Sequence, residues 1–198
     1  MEKYSNFREL KVKEKEGTDY QIQSRQGETG IAVIAPHGGG IEPGTSEIAD
    51  RVAGEDHAFY SFEGWKRQGN FEMHITSRNF DEPIGVKIVK NSNSIVSIHG
   101  CNGNEKAVYI GGTDTGLMER IKRALDDAGF LVKKNPRFPG TSPFNICNRS
   151  RLGKGVQLEL SGPLRCSMFR DLTRPERKIP TKYLKKFVAA LRRGLGET

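Results

Sequence analysis

Short apolar runs recur along this chain, of which Ile31 to Pro36 is among the longest, and amphipathic stretches of helical length separate them. That alternation is the pattern of an open α/β sheet packed between helices; neither a sandwich nor a helical bundle produces it. The chain has 198 residues, and at roughly 100 to 200 residues per domain one core suffices. A single domain spanning residues 1–198 is therefore expected. The runs stop far short of the roughly 20 apolar residues that a membrane-crossing helix needs. Met1 to Lys15 alternates Lys and Glu where a secretory leader would be apolar, so the expected setting is the cytoplasm, with no membrane partner.

The period of each segment assigns the elements. Tyr20 to Ser24 alternates, whereas Ile31 to Ala35 is continuously apolar and predicts a central strand buried on both faces. Phe71 to Thr76, Ser94 to Ile98, Ala107 to Ile110 and Val156 to Leu160 are further strands, with weaker signals at Ala58 to Phe62 and Phe130 to Lys133. Thr45 or Ser46 can cap a helix ending at Ala53 before a left-handed Gly54, and Asp114 can cap another that Gly129 terminates. A third helix, from about Lys182 to Arg193, turns Leu184, Phe187, Val188 and Leu191 inward and Lys185, Lys186, Arg192 and Arg193 outward. Ile84 to Val89 reads as a fourth. Asn135 to Gly155 is a long stretch rich in Pro, Gly, Asn and Arg, and irregular segments of that length inside a compact domain often serve function.

The chemistry gathers at strand ends. The central strand runs into Ala35-Pro36-His37-Gly38-Gly39-Gly40-Ile41-Glu42, which places an imidazole at its carboxyl end and a carboxylate just beyond three glycines. Small residues between them let the backbone fold back, so both groups can converge on one metal ion. A second strand ends in His99-Gly100-Cys101-Asn102-Gly103, and a third, Val156 to Leu160, carries Glu159 between leucines. In open α/β sheets ligands bind beyond the carboxyl ends of the strands. His37, Glu42 and His99 would then leave a fourth zinc position open, as a catalytic site requires, with Glu159 as general base. The plainer readings are hydrogen-bonded loop histidines and an acid on the solvent face of an edge strand, since Gln157 and Glu159 share one side. His57 and His74 have weaker claims, although Ser77-Arg78-Asn79 follows His74 closely enough to reach the same cleft. Asn148-Arg149-Ser150-Arg151 offers arginine forks for a substrate carboxylate, or simply a solvated loop.

Charge bears on partners. The formal net charge is +8, and Arg165 to Thr198 holds ten Lys or Arg against Asp171, Glu176 and Glu197. Such a segment attracts polyanions of any kind, so a nucleic-acid-binding role through it is the non-enzymatic alternative. Aromatic residues are only 8% and no nucleic-acid motif occurs, so nucleic acid is not the expected partner. A serine esterase built on His37-Gly38-Gly39-Gly40 would need a GxSxG elbow, which the sequence lacks. Cys101, Cys147 and Cys166 are an odd set without CxxC spacing and predict reduced thiols.

Taken together, Tyr4-Ser5-Asn6-Phe7, Ala35 to Glu42, His74-Ile75-Thr76-Ser77, Ser97-Ile98-His99-Gly100 and Leu158-Glu159-Leu160-Ser161 resemble the zinc-dependent poly-γ-glutamate hydrolases of bacilli phages and prophages. The resemblance covers nearly the whole chain. It implies a zinc carboxypeptidase-like fold, an open, mixed, twisted sheet with helices on both faces. It further implies one zinc ion on His37, Glu42 and His99, Glu159 as base, and cleavage of γ-glutamyl amide bonds. The anionic polymer is then the partner of a monomeric enzyme that meets extracellular polymer on cell lysis. Arg78, Asn79, Asn148 and Arg149 become candidates for its carboxylates; the Asn-Arg pair common in carboxypeptidase-like enzymes falls after His99 here.

Overall fold

The computed structural model describes residues 2–134 and 136–196. Met1, Asn135 at the start of the irregular stretch, and Glu197 and Thr198 of the basic segment lie outside the described residues. Seven strands, β1 (Tyr20–Arg25), β2 (Ile31–Gly39), β3 (Ala58–Gly64), β4 (Ser94–Cys101), β5 (Ala107–Gly112), β6 (Leu131–Lys133) and β7 (Val156–Ser161), form one sheet in the order β1-β3-β2-β4-β7-β5-β6. The inner four, β3, β2, β4 and β7, are mutually parallel, while β1 and β5 run antiparallel to their inner neighbours. Mixed pairing places the sheet in the predicted class.

Among the described residues six helices accompany it: α1 (Phe7–Lys13), α2 (Thr45–Ala53), α3 (Pro83–Asn91), α4 (Thr115–Asp127), α5 (Gly162–Met168) and α6 (Lys182–Leu195). The two faces of the sheet carry separate cores because β2 and β4 are apolar on both sides. Val33, Ala35, Val96, Ile98 and Leu158 pack on α2, α4 and α6; Ala32, Ile34 and Ile95 pack with Leu10, Phe80, Ile88 and Val89 on the other face. Leu184, Phe187 and Leu191 of α6 are wholly inaccessible, each contributing about 1.5–3 kcal/mol by burial. From β2 the chain crosses through α2 to β3 on one side, then returns through α3 to β4 on the other side of β2. That reversal opens a crevice beyond the carboxyl ends of β2 and β4.

Local chemistry sets the ends of the helices. Asp114 caps α4 by accepting from Leu117 N–H, Thr181 caps α6 through Leu184 N–H, and Gly54 takes positive φ (58°) after α2. Neither Thr45 nor Ser46 caps α2, however. The cap is Gly44; Thr45 Oγ1 instead donates to the Glu42 carbonyl, and Ser46 Oγ accepts from Gly39 N–H, so both hydroxyls serve the loop after β2.

Two strand assignments change. Phe71 to Thr76 is not a strand: Asn70–Met73 is a 3-10 turn and the rest is irregular. Met73 and Ile75 are buried and give the alternation, but the segment lies over the end of β2, with the Ile75 carbonyl on His37 Nε2, and joins no ladder. Conversely, the weak Ala58 to Phe62 signal is an inner strand buried from Ala58 to Gly64. Its Ser61 and Glu63 disguised it; Ser61 bonds to Ser46 within the core. Helices α1 and α5 were not anticipated, although Asn6 accepts from Glu9 N–H and Ser161, two residues before Pro163, accepts from Leu164 N–H.

Candidate metal centre

The crevice gathers side chains from three strand ends. A register shift between Ala35 and Gly38 interrupts the pairing of β2 with β3, and Gly39, at φ 63°, turns the chain after His37. A Cβ at Gly39 would lie 2.6 Å from the Gly64 carbonyl oxygen, so no larger residue fits. The turn brings Glu42 back: its backbone N–H donates to the His37 carbonyl at 2.9 Å, and its Oε1 lies 3.2 Å from His37 Nδ1. From β4, Gly100 N–H donates to Glu42 Oε2 at 2.8 Å, and His99 presents Nδ1 3.1 Å from His37 Nδ1 and 3.8 Å from Glu42 Oε2. His37, Glu42 and His99 are all buried, and one donor atom from each lies within 4.8 Å of the others.

The outward nitrogens fix what the inward ones can be. His37 Nε2 sits 2.7 Å from the Ile75 carbonyl, which only accepts, so Nε2 carries the proton and neutral His37 turns a bare lone pair on Nδ1 inward. His99 Nε2 likewise has a partner in Ser97 Oγ at 2.8 Å. Lone pairs on two imidazoles and a carboxylate that converge without a donor repel; a proton or a cation between them removes the conflict. Donor atoms about 3.4 Å apart suit tetrahedral zinc with its bonds of roughly 2.1 Å, close to the 3.1 Å between the two Nδ1 atoms and the 3.2 Å from His37 Nδ1 to Glu42 Oε1. The residues present fit the ion, and the outer hydrogen bonds orient both rings as metal-binding histidines require.

Electrostatics agree with the geometry. Burial opposes charge on His37, but Glu42 outweighs it and holds the imidazole above its ordinary range. Burial would raise Glu42, yet His37 brings it down to about 2. Burial and the neighbouring His37 depress His99 to about 3. In the metal-free state a proton shared among these groups therefore favours His37, paired with the Glu42 carboxylate, over His99.

Glu159 stands beside this cluster, its backbone directly opposite His99 in the β4–β7 ladder. Burial, followed by the charge of Glu42, pushes its carboxyl up to about 8. β7 is an inner strand, so the face shared by Gln157 and Glu159 is enclosed: both are buried, and Gln157 Nε2 donates to Glu159 Oε1 at 2.8 Å. His74 lies at the rim, its ring 3.9 Å from that of His37, whereas His57 bonds to Thr29 near the start of β2, away from the crevice. Arg78 and Asn79 are exposed on the segment that follows Ile75. Asn148 is turned inward, donating to the Gly140 and Ser142 carbonyls and accepting from Thr113 Oγ1; Arg149 donates to the Phe80 carbonyl.

Arg165 emerges from the structure alone. It is buried, and donates to the carbonyls of Leu160, Pro43 and Cys101 at 3.1, 2.7 and 3.4 Å, so one guanidinium joins the ends of β7 and β4 to the loop after β2. In the sequence it is one cation of the basic segment. That segment is partly internal: Arg177 is also buried against Glu47, and Arg192, expected to face water, reaches Asp56 and the Val52 carbonyl.

Fold and site together describe an α/β protein with a candidate His-Glu-His metal centre at the switch point of its sheet. A family model described as poly-gamma-glutamate hydrolase matches residues 4–190, and the chain belongs to that family. It is 41% identical over 175 residues to the SPbeta prophage-derived UPF0714 protein YoqZ of Bacillus subtilis (strain 168), covering 87% of this chain and 63% of YoqZ. It is 39% identical over 169 residues to UPF0714 protein YndL of the same strain, covering 84% of this chain and 66% of YndL. The chain thus spans just under two thirds of both these relatives. Among solved structures, a bacteriophage poly-gamma-glutamate hydrolase superposes with TM-score 0.95 at 32% identity, over 98% of this chain and 97% of the other. A zinc-free apo form of YndL superposes with TM-score 0.93 at 34% identity, over 98% of both chains. These likenesses give no support to a nucleic-acid-binding role. No described helix is long and apolar enough to cross a membrane.

Proposed function

We propose that this protein hydrolyses γ-glutamyl amide bonds of poly-γ-glutamate, with one zinc ion held by His37, Glu42 and His99 and with Glu159 as general base. The observation that carries this reading is the convergence of three buried donor atoms within 4.8 Å beside a buried acid on the adjacent strand. Membership of the poly-γ-glutamate hydrolase family supports the substrate. When bound, zinc would polarise the scissile carbonyl and bring the pKa of water to about 7. Glu159 removes a proton from the water that attacks the γ-carbonyl carbon, then delivers it to the nitrogen as the C–N bond breaks, releasing a γ-carboxylate and a free α-amine. Burial raises this carboxyl in the metal-free site, and beside a cation it returns toward neutrality, where one group can both take and return a proton.

Every residue of the polymer carries a free α-carboxylate, which the net charge of +8 attracts. Arg78 and Asn79, exposed beyond Ile75, are placed by this reading against those carboxylates. Asn148 and Arg149, engaged with backbone carbonyls, hold the loops that frame the crevice. Residues 1–198 act as one monomeric catalytic domain.

The test is metal analysis of the purified protein, followed by incubation with poly-γ-glutamate with and without a chelator. One zinc per chain and shortening of the polymer, abolished by chelator and restored by zinc, are expected. Intact polymer with the zinc-loaded protein, or shortening indifferent to chelator, overturns the proposal.

A further inference from the structure

A line of amides leads from the irregular segment before β7 to Glu159. Cys147 N–H reaches Asn145 Oδ1 at 3.1 Å, Asn145 Nδ2 reaches Gln157 Oε1 at 2.8 Å, and Gln157 Nε2 reaches Glu159 Oε1 at 2.8 Å. Amide oxygen and nitrogen differ little in shape, so the direction of such a line depends on an end that has no choice. Here that end is the backbone. A main-chain N–H can only donate, so it must face the oxygen of Asn145. The Asn145 amine then points at Gln157 and requires an acceptor there, which turns the Gln157 amine onto Glu159. All three side chains are buried, so no solvent competes for these groups.

We propose that Asn145 and Gln157 are positioning residues that keep Oε1 of Glu159 an acceptor and leave Oε2 as the oxygen through which the base takes and gives its proton. Among the described residues Oε2 has no hydrogen-bond partner. Oε1, already receiving an amide proton, is the poorer base of the pair, and its tether leaves Oε2 as the free oxygen. The irregular segment thus reaches the chemistry without touching substrate. This inference rests on the reading of Glu159 as general base.

Asn145→Asp tests it. Aspartate still accepts from Cys147 N–H but cannot donate to Gln157, so the Gln157 amide rotates and sets its oxygen against Glu159 Oε1. The zinc-loaded variant should lose about tenfold to a hundredfold in kcat on poly-γ-glutamate, the usual effect of removing a hydrogen bond to a charged group, with KM, zinc content and Tm little changed. In a Gln157→Leu background there is no amide to rotate, so Asn145→Asp should add almost nothing. That comparison also removes any direct effect of the new charge, which both backgrounds share. The side-chain amide resonances of Gln157, identified by their absence in Gln157→Leu, should shift in metal-free Asn145→Asp. An equal loss of kcat in both backgrounds, unshifted Gln157 resonances, or a loss explained by zinc content or Tm overturns the relay. Full activity of Glu159→Gln overturns the base assignment itself; inactive Glu159→Gln with wild-type kcat in Asn145→Asp overturns the relay alone.

Discussion

His37 and His99 face each other through Nδ1 at 3.1 Å, and His37 Nδ1 can only accept while its ring is neutral, because the Ile75 carbonyl holds the ring proton on Nε2. In the metal-free protein a proton has to lie among these atoms, and a bound cation takes its place. Because the ion binds the folded state, it should stabilise it by about 2.7 kcal/mol at a hundredfold excess over Kd. At roughly 2–4 °C per kcal/mol for a chain of this size, adding zinc should raise Tm by about 5–10 °C. His37→Ala and His99→Ala should each abolish that rise, and scanning calorimetry with and without zinc checks it. A wild-type Tm indifferent to zinc would remove the cluster as a metal site.

Glu159 makes the metal-free protein sensitive to pH in a stated direction. Its carboxyl is pushed from 4.5 up to about 8, by burial first and Glu42 second. Between those values the folded protein holds a proton that the unfolded chain has released, so stability falls as pH rises from about 4.5 to 8. Glu42 acts oppositely. Its depression to about 2 contributes stability present above 4.5 and lost as pH falls through 2. Glu159→Gln, which buries no charge, should flatten the upper slope and stabilise the metal-free protein at pH 8 by about 2–4 kcal/mol. The same variant should keep zinc and lose about a hundredfold to ten-thousandfold in hydrolysis. Denaturant titrations across pH, paired with assays, test both halves. Parallel slopes in variant and wild type would refute the linkage.

Thiol reactivity offers a check that is independent of the metal. Cys166 is exposed on α5, while Cys101 and Cys147 are buried, and burial pushes their thiols up to about 11 and about 12. Thiolate is the reactive form. At pH 8 a disulfide exchange reagent should therefore label one thiol in the native protein and three after denaturation, counted by mass spectrometry. Rapid native labelling of Cys147 would contradict the packing of the segment before β7.

What could be seen in the sequence was whatever local pattern determines. The run Ile31 to Ala35 could only be an inner strand, and glycines directly after both strand-terminal histidines marked the loops of the crevice. Asp114 and Gly129 bounded a helix because cap chemistry is local. Phe71 to Thr76 failed for the opposite reason. Alternating burial needs only a surface beneath the chain, whereas a strand needs a free sheet edge, which no local pattern reports. In the sequence Gln157 shows only that it shares a side with Glu159, because its role depends on Asn145, twelve residues away and fixed by the Cys147 backbone. Arg165 was hidden by charge: counted with its cationic neighbours it belonged to a solvated face, and only the tertiary fold shows three carbonyls around it.

That side chain supports the last prediction. Arg165 binds Pro43 just after Glu42, Cys101 two residues after His99, and Leu160 next to Glu159, so it spans every strand end that contributes to the site. Gly100 lets it approach, since a Cβ there would lie 2.7 Å from the guanidinium carbon. Arg165→Met keeps most of the packing volume but removes the guanidinium's hydrogen bonds to three carbonyls, each contributing about 1.5–3 kcal/mol as a bond from a charged donor. Relief of the guanidinium's own desolvation offsets part of that loss, leaving a net destabilisation of about 2–4 kcal/mol. Arg165→Lys, with one compact ammonium in place of a fork, cannot reach three acceptors at once and should recover less than half of it. Since the lost bonds hold the ligand loops together, zinc affinity should weaken by about tenfold in Arg165→Met, measured by competition with a chromophoric chelator. Wild-type affinity in a variant whose Tm has fallen would restrict Arg165 to supporting the fold.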